Sequence, residues 1–304
     1  MAFEPVSLVV NGVRTSPSDS CLISCYSPSF QYGLTVFEGI RAYQDDYLHS
    51  HPFLLQAHIN RLLESALLMG FHDIPTFDQV TSNIELLLSE TPQCPDYYIK
   101  TMLCYLSEGS WATTRSPDIV SILYRTYSLF TEGSFRQVRL RSSSISRLSN
   151  NSLPPRIKCG ANYINGRLAT LDVNSGYRNG SRLSDIPILY DQMNYVTETP
   201  GASIFAIKDN KILTPLISSD ILKSITRQTL LTNILPSLKG ISIHEMNLNR
   251  WDLLTADEIF LAGTQAEITI VSEIDGKSKD KCFTVNSIIP AFKNFVKHSL
   301  SISV

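Results

Sequence analysis

The chain has 304 residues, 43% hydrophobic and 18% charged, with a formal net charge of -2 at pH 7. That length exceeds what one hydrophobic core ordinarily organises, so two domains are expected. The near-neutral balance gives no general attraction to nucleic acid or to an anionic membrane, which leaves a small molecule as the expected partner.

VSLVVNGVRT (6–15) alternates apolar residues around an Asn-Gly turn signal and predicts a hairpin. CLISC (21–25) has ligand-like cysteine spacing, but the only close histidine pair, His49 and His51, lies far along the chain and no metal site is expected. The six cysteines, at 21, 25, 94, 104, 159 and 282, contain no CxxC pair and are read as reduced thiols. No apolar run approaches the roughly 18 residues of a spanning helix. MAFEPVSLVVNGVRTS lacks the basic start and apolar core of a signal peptide, so a cytoplasmic protein without a membrane partner is expected.

FLLQAHINRLLESALLMGF (53–71) has helical periodicity and is expected to end near Gly70, and FDQVTSNIELLLSE (77–90) predicts a second helix. YYIKTMLCYL (97–106) and DIVSILYRTY (118–127) follow as β-rich segments. The expected organisation is a small N-terminal domain over 1–127, a linker over 128–137 around SLFTEGSFRQ, and a larger C-terminal domain over 138–304. Within the latter, VRLRSSSISRL (138–148) reads as β-rich, NYINGRLATLDVNSGY (162–177) as a helix, and RNGSRLSD (178–185) as an insertion. IPILYDQ and SIFAIKDNKIL read as strands, and ITRQTLLTNILPSL (225–238) as a helix. The overall class is α/β, with no internal repeat.

Five segments offer chemistry. In RIKCGANYING, Pro154 and Pro155 stiffen the approach to Lys158, and Cys159, Gly160 and Ala161 let a flat ligand come close to the backbone. A lysine fixed there could form an imine, although a lone lysine at a strand end is most often solvated. Glu198, ahead of the Pro-Gly turn in YVTETPGASIF, is either a cleft-facing carboxylate or a solvent-facing turn residue. Ser224 and Thr226 stand at the start of a helix whose unpaired amides suit phosphate, or merely cap it. Thr264 and Gln265 follow a strand in FLAGTQAEITIV and offer a hydroxyl and turn amides. Arg61, in HINRLLES, has a fork that suits phosphate, against the alternative of an exposed helix arginine.

In this order, with YGLTVFEGIRAY (32–43), HINRLLESA, KCGANY, VTETPGASIF, TPLISSDILKSITR and ADEIFLAGTQAEIT, the chain resembles the class IV, or fold type IV, pyridoxal-phosphate aminotransferases. It looks most like the branched-chain amino acid aminotransferases. The resemblance implies a two-domain α/β fold with pyridoxal 5'-phosphate held between the domains. It also implies transfer of an amino group from a hydrophobic or branched-chain L-amino acid to a 2-oxo acid such as 2-oxoglutarate, and a homodimer or higher homo-oligomer whose site is completed by a second subunit. A D-amino acid aminotransferase, or a lyase similar to aminodeoxychorismate lyase, is the alternative on the same fold. The roles implied are the Schiff-base lysine for Lys158, the pyridine-nitrogen partner for Glu198 and the phenolic-oxygen partner for Tyr163. Arg61, Ile225, Thr226 and Thr264 match the phosphate cup. Tyr32, Phe37, Gly39 and Tyr98 match the substrate pocket, and the Thr264-Gln265 turn matches the amides that receive the substrate carboxylate. The chain departs from the family at Lys100, where arginine is common, at Lys223-Ser224 in place of Pro-Gly, at Thr199 in place of glycine, and at Gln265 in place of a small residue. A lysine lacks the bidentate fork of arginine, so carboxylate recognition at position 100 differs.

Overall fold

The computed structural model describes residues 4–15, 23–45, 47, 49–89, 96–128, 136–174 and 184–301. Residues 129–135 of the expected linker, residues 178–183 of the expected insertion, and Cys21 and Cys94 lie outside the described residues. The chain forms two compact units, one of residues 1–131, 157–161 and 297–304, the other of residues 132–156 and 162–296.

The first unit is built on strands β1 (Glu4–Val10), β2 (Val13–Thr15), β3 (Thr35–Gln44), β4 (Ser50–Pro52), β5 (Asp96–Cys104) and β6 (Asp118–Arg125), with helices α1 (Pro28–Tyr32), α2 (Leu55–Leu68) and α3 (Phe77–Leu88). Its sheet is antiparallel in the order β2-β1-β6-β5-β3-β4. The hairpin predicted at Asn11-Gly12 is present, with both residues at positive φ. Alternation along β3 decides which side chains meet α2. Val36, Glu38, Ile40 and Ala42 point one way and are buried, while Phe37, Gly39 and Arg41 share the other face with their β5 partners Met102, Lys100 and Tyr98. The apolar stripes of α2 (Ile59, Leu62, Ala66) and α3 (Val80, Ile84, Leu87) are buried, and α3 is started by a full capping box from Thr76 and Gln79.

The second unit contains β7 (Gln137–Ser142), β8 (Asp185–Ile188), β9 (Ser203–Lys208), β10 (Lys211–Thr214), β11 (Ser242–Glu245), β12 (Glu258–Gly263), β13 (Glu267–Ile274) and β14 (Lys277–Ser278). Its helices are α4 (Gly160–Val173), α5 (Ile225–Thr229), α6 (Arg250–Thr255) and α7 (Phe283–Ser301), of which α4 and α7 begin or end in segments grouped with the first unit. The sheet runs β11-β10-β9-β12-β13-β7-β8 with β14 on β13, and the pairs β10/β11, β13/β7 and β7/β8 are parallel. Leu140, Ile188, Ile204, Ala206, Ile259 and Leu261 form its core, with Phe205 stacked on Phe260 at 4.7 Å.

Two expected elements are shorter than their periodicity suggests. The segment 225–238 is α-helical only over Ile225–Thr229, passes into a π-helical turn over Leu230–Ile234 and ends in a 3-10 turn over Leu235–Ser237. The hydroxyls of Thr229 and Thr232 bond back to the carbonyls of Ile225 and Gln228, and Pro236 has no N–H, so regular pairing is interrupted. The β-rich stretch 138–148 is strand only to Ser142, because Ser143 and Ser144 turn onto the carboxylate of Asp172.

Candidate active site

Lys158 lies on a short extended segment that pairs with β3 rather than on a free surface loop. Phe37 N–H donates to the Lys158 carbonyl at 3.0 Å, Lys158 N–H donates to Ser65 Oγ at 3.1 Å, and Cys159 forms an antiparallel bridge with Val36. The bridge puts Cys159 on the buried side with Val36 and turns Lys158 to the face of Phe37. There its Nζ stands 4.9 Å from the Phe37 ring centroid, and Lys100 Nζ stands at the same distance from that ring. Burial, followed by the charge of Lys158, lowers the pKa of Lys100. Gly39, on the same face, admits Tyr98, since a Cβ at position 39 would fall 1.7 Å from Tyr98 Oη. Tyr32 ends α1 and is half exposed.

Arg61 is buried, at 8% exposure, so the exposed-arginine alternative does not hold. Its Nε and Nη2 donate to Glu38 Oε1 and Oε2 at 2.6 and 2.8 Å, and His58 Nδ1 meets Oε2 at 2.7 Å. Burial raises the Glu38 pKa, but the Arg61 charge and the bonds from His58 and Arg61 outweigh it and bring it down to about 2. Burial likewise lowers His58, against the pull of Glu38 in the other direction.

In the second unit Glu198 is buried at 6% exposure, not solvent-facing. Its Oε1 accepts from Arg147 Nε and Nη2 at 3.1 and 2.9 Å, and the Leu222 amide donates to both oxygens at 3.2 and 3.3 Å. Leu222 belongs to the loop that enters α5, where Ser224 caps the turn by accepting from Arg227 N–H at 3.2 Å. Ile225 and Thr226 therefore begin their helix in the segment that also touches Glu198, and their first-turn amides are the donors available there. The turn carrying Thr264 and Gln265 joins β12 to β13, and a Cβ on Gly263 would lie 2.9 Å from the Gly201 carbonyl, so this turn abuts the one that follows Glu198. Arg136 Nη1 donates to the Gln265 carbonyl at 3.4 Å. Tyr163 lies in the first turns of α4 at 39% exposure, and Gly166 on that helix packs against Pro200.

Sequence reasoning missed Glu38, His58, Ser65 and Arg147. The first three carried a signal: Glu38 is the lone charge on the apolar parity of β3, and His58, Arg61 and Ser65 fall on one helical stripe. Arg147, in a serine-rich loop, carried none.

Taken unit by unit, these groups suit pyridoxal phosphate by donor chemistry. In the first unit Lys158 has a primary amine that would meet the carbonyl and Arg61 a guanidinium that would meet the phosphate; in the second Glu198 has a buried carboxylate that would meet the pyridine nitrogen and the start of α5 has amides that would meet the phosphate. Ser203 Oγ, whose backbone bridges to that of Glu198, is buried and has no hydrogen-bond partner among the described residues.

Residues 35–274 match the family described as Amino-transferase class IV. The probable branched-chain-amino-acid aminotransferase of Aquifex aeolicus is 32% identical over 86% of this chain and 82% of its own length. The branched-chain-amino-acid aminotransferase of Pseudomonas aeruginosa is 33% identical over 82% of this chain and 78% of that protein. Among solved structures, the branched-chain amino acid aminotransferase of Thermobaculum terrenum in its PLP form superposes with a TM-score of 0.85 at 25% identity, covering 97% of this chain and 94% of that one. The Escherichia coli branched-chain enzyme gives 0.82 at 26% identity, covering 97% and 96%. On these matches and the residues they span, the chain belongs to the class IV aminotransferases, enzymes that act with pyridoxal phosphate.

Proposed function

We propose that this chain transfers the amino group of a branched-chain L-amino acid to a 2-oxo acid such as 2-oxoglutarate. The observation that carries the reading is Lys158, an amine held by two backbone bonds on a sheet face shared with Phe37, Gly39 and Tyr98. Pyridoxal phosphate, when bound, supplies the electron sink that makes a substrate Cα–H acidic. Lys158 Nζ takes up the Cα proton of the donor and, in the return half of the reaction, delivers a proton to the Cα of the acceptor. Glu198 keeps a proton on the pyridine nitrogen, and Tyr163 holds the phenolic oxygen. Arg61, the amides of Ile225 and Thr226, and Thr264 would hold the phosphate. Phe37, Tyr98 and Tyr32 form the apolar wall for an aliphatic side chain, and Lys100 and the Thr264-Gln265 turn receive carboxylate.

A cytoplasmic homodimer belongs to the same proposal. Helix α4 exposes Ile164, Leu168 and Leu171 at helical spacing, and Cys25 and Cys282 are free thiols. Among the described residues no helix is long and apolar enough to cross a membrane.

The test is the visible spectrum of the cofactor-loaded protein before and after L-leucine, with no 2-oxo acid present. Conversion to the aminated form of the cofactor is expected with L-leucine and not with D-leucine. The Lys158→Ala protein should stay folded and leave its spectrum unchanged. A response to D-leucine alone would overturn the assigned chirality, and substantial turnover by Lys158→Ala would overturn its role.

A further inference from the structure

We infer that Glu38, with His58, is a positioning residue that fixes the guanidinium plane of Arg61 for the cofactor phosphate. This rests on the reading of Arg61 as a phosphate holder. His58, Arg61 and Ser65 are spaced by three and four residues and so share one stripe of α2, and Glu38 leaves β3 from its buried face. The carboxylate takes the Nε–Nη2 edge of the guanidinium through two bonds, and the His58 ring adds a third contact to Oε2. A long, rotamer-rich side chain is thereby held in one orientation before any ligand arrives. Stability alone does not explain the arrangement, because a buried ion pair can often be replaced by apolar side chains of similar volume without loss. Because Glu38 balances the charge of Arg61, phosphate recognition here depends on directed N–H donors more than on net positive charge.

The competing account is that Glu38 only pins α2 to the sheet. The same stripe holds Lys158 through Ser65, so pinning would affect every ligand of Lys158 alike. The two accounts separate in the ratio of affinities for pyridoxal phosphate and for pyridoxal, which lacks the phosphate, titrated into the full-length chain stripped of cofactor. Glu38→Gln is expected to weaken pyridoxal phosphate about tenfold, as loss of an orienting partner does at metal sites, while leaving pyridoxal within about twofold. Arg61→Met should erase the preference, and Glu38→Gln should add nothing further in that background. Equal weakening of both ligands by Glu38→Gln, or an effect that persists in the Arg61→Met background, would overturn the inference. If Arg61→Met itself leaves the preference intact, the phosphate reading of Arg61 fails first and takes the inference with it. Should Glu38→Gln not fold, His58→Gln removes one of the three contacts and should cut the preference about threefold; equal loss for both ligands would again reject the role.

Discussion

Two buried carboxylate–guanidinium pairs, one in each unit, use the same chemistry in opposite directions. In the pair Glu38–Arg61, on the reading proposed above, the acid serves the base: Glu38 is fully buried and grips Arg61 through both oxygens, and the arginine would be the group that meets a ligand. In the pair Glu198–Arg147 the base serves the acid: the Arg147 fork closes on Oε1 alone, and the Leu222 amide completes the support. The difference lies in the third partner. His58 can change its charge, whereas a backbone amide cannot, so the first cluster can adapt to losing its arginine and the second cannot.

The largest effects should therefore come from removing the two arginines. Arg147→Met leaves the buried carboxylate of Glu198 without its guanidinium partner and should cost about 3–5 kcal/mol of stability. Arg61→Met should cost less at about pH 6, because the positive charge of Arg61 is one of the influences lowering His58, and without it His58 can protonate against Glu38. That compensation raises the folded-state value of His58, so its contribution is present at low pH and lost as pH rises. The Arg61→Met deficit should grow towards that of Arg147→Met at about pH 8, as read by urea unfolding. A deficit equal at both pH values would show that His58 does not adapt.

The contrast also marks what was legible in the chain. Lys158, Glu198, Arg61 and the Ser224–Thr226 helix start could be picked out because each stands next to a local signal: a rigid Pro-Pro, a Pro-Gly turn, a periodic stripe, a cap. Their surroundings were decided by pairings distant in sequence. Nothing near position 158 announces that its backbone pairs with β3 or that Ser65 holds its amide, and nothing near Arg147 announces Glu198, 51 residues later. The helix at 225–238 was misjudged in length for a different reason, since the apolar period continues through the threonines and the proline that break its hydrogen bonds. Apolar periodicity reports which face is buried, not which bonds are made.

A smaller effect is expected in the acid limb of stability. The folded-state value of Glu38 is about 2, against 4.5 ordinarily, so its contribution is complete above about 4.5 and is lost as pH falls towards 2. His58, lowered from 6.5, adds a slope of the same sign that begins below 6.5, because the unfolded chain binds the proton first. Glu38→Gln should remove on the order of 3 kcal/mol of the change across the acid range. A residual slope from Asp172 and Asp275, both lowered by the bonds they accept, should remain. An acid limb unaltered in Glu38→Gln would mean that the carboxylate is not held below its ordinary value.

The smallest expected effect concerns the lysine that departs from the family pattern. Lys100 shares the Phe37 ring with Lys158, and both burial and that neighbour lower its pKa. A group lowered in this way loses its charge sooner as pH rises, and with it any attraction for a carboxylate. The KM for a dicarboxylic 2-oxo acid should consequently rise at alkaline pH by about fivefold at most, the scale of a partly solvated ion pair, with kcat little changed. Arginine does not deprotonate in this range and offers a fork where lysine offers a point charge. Lys100→Arg should therefore flatten the alkaline rise in KM, while Lys100→Met should show the raised KM at every pH. Persistence of the rise in Lys100→Arg would assign the titration to another group and remove Lys100 from carboxylate recognition, leaving the Thr264-Gln265 turn as the receiver of that charge.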